Sequence, residues 1–168
     1  MLLRSFTRGR VRIRSNVYKI VVLRQSFFYY TILPKPLWKT EYAVKHNNGK
    51  TFAGTDIGMN VLVRPSMYDS WHDIEVIREG KVVARDNLME QTVTGNICES
   101  GDLLAKDRPL PKMQRGDLAC VLDAGAYGWS MCSTYNSRPR PAEVLICKDG
   151  SVKVIRRRET IEDLMRLF

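Results

Sequence analysis

The sequence has no acidic residue before Glu41, and only two histidines, His46 and His72. Its four cysteines, Cys98, Cys120, Cys132 and Cys147, never fall into a C-x-x-C spacing. Zinc sites are built on such spacings, so no metal site is expected. Nor do these cysteines suggest a disulfide framework, and a reducing cytoplasm is the expected setting. No apolar run approaches the roughly 20 residues that a membrane helix needs, so no membrane partner is expected. The net charge of +9 looks like a nucleic-acid signal until it is located. Residues 1–40 hold nine Lys or Arg unopposed, whereas the other 18 basic residues meet 18 acidic ones. The body of the protein is therefore electrically ordinary, and no nucleic-acid partner is expected for it.

That asymmetry divides the chain at residue 38. Residues 1–38 are a basic segment in which Arg4, Arg8, Arg10, Arg12 and Arg14 alternate with small and apolar residues. Three readings stay open for it. It is a start placed upstream of the true frame, an acid-free organellar leader, or a basic arm. The Arg-rich start thus keeps an organellar address open beside the cytoplasmic one.

Residues 39–168 read as one mainly β domain, a barrel or sandwich with short helices. Leu37–Val44 and Thr51–Asp56 flank Asn47-Asn48-Gly49 and predict a hairpin. Ile74–Ile77 and Lys81–Ala84 flank Glu79-Gly80, and Glu143–Cys147 and Ser151–Arg156 flank Lys148-Asp149-Gly150, giving two more. Pro109 and Pro111 mark a loop. Leu118–Leu122 is an apolar strand that Gly125-Ala126-Tyr127-Gly128 breaks. Thr160 caps a terminal helix with Asp163 three residues on, and Ile161, Leu164, Met165 and Phe168 form its apolar face.

Gly95-Asn96-Ile97-Cys98-Glu99-Ser100-Gly101-Asp102 puts a thiol and a carboxylate where a strand gives way to a loop. A rigid strand positions such groups and a loop exposes them. Alone, the pair is weak, since most such cysteines are small buried hydrophobes. Arg64 and Tyr68, four apart, share one side of a short helical turn. Alone, that pair is an ordinary surface contact.

Together these motifs resemble the C-terminal region of the diaminopimelate decarboxylases, pyridoxal-phosphate enzymes of lysine synthesis. The resemblance runs on through Leu103–Asp107, Gly116-Asp117-Leu118, Asp123–Gly128, Tyr135–Val144 and Arg156–Thr160. Upstream it includes Asp56–Asn60 and Arg64–Tyr68, and it covers about Lys39 to Phe168. It implies the C-terminal β domain of the alanine racemase and ornithine decarboxylase type. In that family the first strands of the domain precede the cofactor-binding barrel, so this sheet is expected to be incomplete, with an open edge.

The resemblance also implies roles. Cys98 is the catalytic proton donor, and an ordinary thiol is protonated at neutral pH as an acid must be. Glu99 takes the distal ammonium of meso-diaminopimelate, and Arg64 with Tyr68 takes its distal carboxylate. Tyr127 reaches both substrate and cofactor. Cys98 and Glu99 are presented to a partner subunit, so a homodimer, or a complex with a chain that contains the barrel, makes the site. Ornithine and arginine decarboxylases carry Cys-Asp in place of Cys-Glu, and ornithine has no distal carboxylate. Asn96 stands where the family usually has Pro, which is expected to loosen the loop. The cofactor is pyridoxal 5'-phosphate, and its Schiff-base lysine has no counterpart in this sequence. The chain alone is therefore expected not to decarboxylate. The alternative is a non-catalytic module that binds an intact decarboxylase.

Overall fold

The computed structural model describes residues 19–23, 44–47, 49–147 and 151–168. The reading of residues 1–38 as one basic segment lies outside the described residues, apart from five. Those five form β1 (Lys19–Leu23), which pairs antiparallel with β9 (Ala142–Ile146). The first strand expected after residue 37 is described only from Val44.

Among the described residues, ten short strands, three short α-helices and one 3-10 turn make the fold mainly β. One sheet runs β2 (Val44–Asn47), β3 (Lys50–Gly54), β6 (Leu88–Thr94) and β7 (Leu103–Pro111). A second runs β5 (Lys81–Val82), β4 (Ile74–Arg78) and β8 (Leu118–Val121). The third runs β1, β9 and β10 (Val152–Arg156). All three expected hairpins form: β2 with β3, β4 with β5, and β9 with β10, each antiparallel. The pairing of β3 with β6 is parallel. The first two sheets share one core of Ala53, Ile74, Val76, Val93, Leu104, Leu110 and Ala119.

Two expectations change. Pro109 and Pro111 lie inside β7 rather than in a loop. Among the described strands β7 pairs with β6 alone, and an edge strand tolerates a residue without an N–H on its open side. Gln91 completes the strand end. Its amide donates to Leu110 O at 3.2 Å and Pro111 O at 3.0 Å, and its carbonyl accepts from Met113 N at 3.0 Å. At 1% exposure, those bonds replace water for three backbone groups. The second change is at Gly125–Gly128, which breaks β8 by starting a helix, α2 (Gly125–Met131). Trp129 on α2 lies between two guanidiniums, with Arg140 Cζ at 4.8 Å and Arg156 Cζ at 4.4 Å from the ring centre. Ring stacking thus pins α2 onto the ends of the third sheet.

Each of those arginines is held by a glutamate. Arg156 Nε donates to Glu143 Oε2 at 2.6 Å, and Arg140 Nε donates to Glu159 Oε1 at 2.8 Å. Arg140's backbone N–H adds a bond to Glu159 Oε2 at 2.9 Å. The Arg140 guanidinium holds the Glu159 carboxyl below the usual range. A carboxyl lowered by folding stabilises the fold above its unfolded pKa and loses that contribution as pH falls through its folded pKa. Arg140 is 35% exposed, which limits the pair to about 1 kcal/mol. Glu159→Gln is therefore expected to melt roughly 2–4 °C lower at pH 6. That deficit should shrink as melts are repeated below the ordinary glutamate range, as pH falls through the lowered folded pKa and the native carboxyl takes up its proton.

The terminal helix α3 (Ile161–Met165) starts as expected. Asp163 N donates to Thr160 Oγ1 at 3.3 Å, and Thr160 N donates to Asp163 Oδ2 at 2.8 Å. Its apolar face is not buried: Ile161, Met165 and Phe168 are exposed.

Candidate functional site

β6 ends at Thr94, and the chain then turns back through residues 95–102 into β7. Glu99 N donates to Ile97 O at 2.9 Å, Asp102 N to Glu99 O at 3.1 Å, and Gly95 N to Asp102 O at 2.8 Å. The loop is thus closed on itself. Ile97 is its buried anchor, and Cys98, Glu99 and Ser100 are exposed. Strand, anchor and tip therefore present the thiol and the carboxylate together, as the sequence predicted.

Asp102, to which the sequence reading gave no role, holds this loop. It is 3% exposed. Its Oδ1 accepts from Met59 N at 2.6 Å, and its Oδ2 accepts from Ile97 N at 2.7 Å. Two glycines make room for it. A Cβ on Gly95 would stand 2.2 Å from Asp102 Oδ2, and one on Gly58 would stand 2.8 Å from the same oxygen. The signal was present in the sequence: a second carboxylate closes Cys-Glu-Ser-Gly-Asp, and Gly58 and Gly95 were both in view.

Asn96 tethers the loop where the ring of a proline would have stiffened it. Its amide donates to Asp56 O at 3.1 Å, and its own carbonyl accepts from Arg138 Nη2 at 3.3 Å. Arg138 is thus one of the residues that hold the loop from the side of α2 and β9.

After β3 the chain turns at Gly58, whose carbonyl accepts from Val61 N at 2.9 Å and Leu62 N at 3.1 Å. Val61 and Leu62 are buried, which aims the next turn outward. That turn is α1 (Arg64–Tyr68). Pro65 sits at its start, where its missing N–H would have no helical partner anyway. Asp69, left-handed at φ 52°, ends it. Ser66 Oγ donates to Leu103 O at 3.3 Å, so α1 leans on β7 just beyond Asp102.

Arg64 Cζ lies 5.3 Å from the centre of the Tyr127 ring on α2, a cation–π distance. Tyr68 and Tyr127 are 59% and 58% exposed. The structure therefore brings Arg64 directly to Tyr127, and sets Cys98 beside Glu99. It links the two groups through Asp102 and Ser66. Among the described residues, no hydrogen bond or ring contact joins Cys98 or Glu99 directly to Arg64, Tyr68 or Tyr127.

An open cleft of about 630 Å³ lies beside this assembly, lined by Met59, Asn60, Val63 and residues 133–137. None of the five predicted site residues lines it. Cys132 is buried. Its thiol donates to Val61 O at 3.0 Å, and burial pushes it up to about 12. Among the described residues, no group of three or more His, Cys, Asp or Glu side chains could hold a metal ion.

The five lysines with described side chains do not fit a cofactor Schiff base, which needs an amine facing a shielded aldehyde. Lys50 is bonded to Asp107 at 3.1 Å, and Lys81, Lys106, Lys112 and Lys153 are exposed. What the chain offers is a recognition surface: an arginine fork, two phenols, a carboxylate and a thiol on tethered loops.

A mainly β frame that holds such groups fits the sheet domain of a pyridoxal-phosphate decarboxylase. Residues 40–125 match the family described as pyridoxal-dependent decarboxylase, C-terminal sheet domain, and the chain belongs to that family. It is 51% identical over 117 residues to the diaminopimelate decarboxylase of Methanothermobacter thermautotrophicus, a match that covers 70% of this chain and 26% of that enzyme. It is 50% identical over 116 residues to the Archaeoglobus fulgidus enzyme of the same name, across 69% and 27%. The structure of diaminopimelate decarboxylase from Helicobacter pylori complexed with L-lysine superposes with a TM-score of 0.65 at 40% identity, covering 77% of this chain and 30% of that one. The chain thus spans less than a third of the length of these relatives.

Proposed function

We propose that this chain is the C-terminal substrate-binding and dimerisation domain of a diaminopimelate decarboxylase, which converts meso-2,6-diaminopimelate to L-lysine and carbon dioxide. It acts with a cofactor barrel, supplied by the rest of a longer protein or by a partner chain. The observation that carries this reading is the Arg64–Tyr127 pair, joined through α1 and Asp102 to the Cys98–Glu99 loop.

Each side chain has a task that its chemistry suits. Arg64 offers a planar fork to the distal carboxylate, and Tyr68 adds a hydroxyl donor. Glu99 takes the distal ammonium. Tyr127 stands where Arg64 fixes its ring, facing substrate and cofactor. Pyridoxal phosphate, when bound in such an enzyme, takes up the electron pair left as carbon dioxide departs. Cys98 then gives its thiol proton to the carbon that lost the carboxylate. Exposure of Cys98, Glu99, Tyr68 and Tyr127 suits groups that are covered only when a second subunit closes on them.

The test is a reconstitution. The purified 168-residue chain with pyridoxal phosphate is expected to release no lysine from meso-diaminopimelate. Adding the separately expressed barrel of the Methanothermobacter relative should restore turnover, and Cys98→Ala should abolish most of it. Lysine formation by the chain alone would refute this division of labour. A stable complex without turnover would instead mark a non-catalytic partner module.

A further inference from the structure

Of the buried ionisable groups, Asp102 is the one that touches both halves of the proposed site. We infer that Asp102 is a positioning residue: its two carboxylate oxygens lock the Cys98–Glu99 loop to the segment that delivers Arg64 and Tyr68. This rests on the roles proposed above for those four residues.

The argument is one of donor count. Met59 N and Ile97 N point at different oxygens of one carboxylate, at 2.6 and 2.7 Å. Met59 lies five residues before Arg64, and Ile97 is next to Cys98. One side chain therefore bonds the segment before the distal-carboxylate helix and the thiol loop at once, beside the Asn96–Asp56 and Ser66–Leu103 bonds. Only a carboxyl group of this length offers a separate oxygen to each of the two N–H groups. Asparagine has the same shape but one acceptor, so one N–H would face an NH₂ group. Glutamate is too long, because Gly95 and Gly58 leave no space around the group. A change in this lock moves both halves of the site at once, and a small displacement of a reacting group costs rate steeply.

The experiment compares the full chain with Asp102→Asn in two arms. The first is amide hydrogen exchange, followed residue by residue by NMR. Met59 and Ile97 are expected to exchange at least tenfold faster in the variant, and both amide-proton resonances should move upfield as the charged acceptor is lost. Cys132 should stay closed to alkylation, which reports that the core is intact. Unchanged exchange at Met59 and Ile97, or Cys132 opening in step with them, overturns the inference. Should the variant not fold, the unsubstituted chain decides. One lock implies that the two amides open together, and rates more than tenfold apart overturn it. The second arm uses the chain reconstituted with the cofactor barrel. There kcat is expected to fall tenfold or more with KM within threefold, since proton delivery is more sensitive to position than binding is. An unchanged kcat beside opened amides refutes the positioning role. If the unsubstituted pair shows no turnover, the proposed function fails while the first arm still decides the role of Asp102.

Discussion

Gly95→Ala is expected to unseat the Cys98–Glu99 loop and to cost about 3 kcal/mol, roughly two charge-assisted hydrogen bonds. The new Cβ would lie 2.2, 2.4 and 2.5 Å from Oδ2, Oδ1 and Cγ of Asp102. Real atoms do not approach so closely, so the carboxylate must leave. It cannot shift alone, because Met59 N and Ile97 N hold its two oxygens. The substitution therefore leaves two buried amides short of an acceptor. Gly116→Ala is the control. Gly116 has φ +94°, and nothing lies within 4 Å of its Cβ position. There the loss is backbone strain alone, about 1–2 kcal/mol. Urea melts of both variants should rank Gly95→Ala as the less stable. Exchange at Ile97 should rise far more in Gly95→Ala than in Gly116→Ala.

The hairpins were legible because their turns are local. Asn-Gly, Glu-Gly and Asp-Gly sit between alternating strands, and the first two sites have glycines at φ +77°. The cap of α3 was legible for the same reason, being a contact between residues three apart. The parallel pairing of β3 with β6 was not. It joins segments about 40 residues apart, and no local pattern records it. The two misread stretches follow the same logic. Prolines read as a loop unless the strand is known to be an edge, and edge status is a property of the assembled sheet. Gly125-Ala126-Tyr127-Gly128 reads as a break because glycine disfavours helix, yet Trp129 between Arg140 and Arg156 holds α2 in place.

The candidate site residues were named by motif, and the structure adds how they are held. Arg64 to Tyr127, Asn96 to Asp56, Arg138 to Asn96 and Asp102 to Met59 are all contacts across tens of residues. A motif names the groups that meet a substrate, because they are exposed and chemically distinctive. It is silent on the buried carboxylate that seats them, whose partners are backbone amides and so leave no side-chain signature. The sequence reading therefore found the tip of the loop and passed over its anchor.

Arg64→Ala, tested in the chain reconstituted with a cofactor barrel, is expected to lower kcat/KM for meso-diaminopimelate by about 10²-fold or more, the loss of a bidentate charged contact in a site that leaves the substrate carboxylate unpaired. The loss should fall mainly on KM, because the distal carboxylate is held equally before and during the reaction. Arg64→Lys should recover only part of it, since an ammonium is a point charge and cannot fork. L-lysine keeps the distal carboxylate and lacks only the one lost at the reacting carbon, so its inhibition constant should rise in Arg64→Ala in step with KM. Stability should hardly move. α1 buries no residue, and Arg64 is only part-buried, so the melting temperature is expected to stay within about 2 °C. Tyr127→Phe separates the two functions of the pair: it keeps the ring that Arg64 packs on and removes the hydroxyl. A KM effect in Arg64→Ala that Tyr127→Phe does not share assigns the carboxylate to the guanidinium. An inhibition constant for L-lysine that stays unchanged beside a raised KM would instead mean that Arg64 does not hold the distal carboxylate.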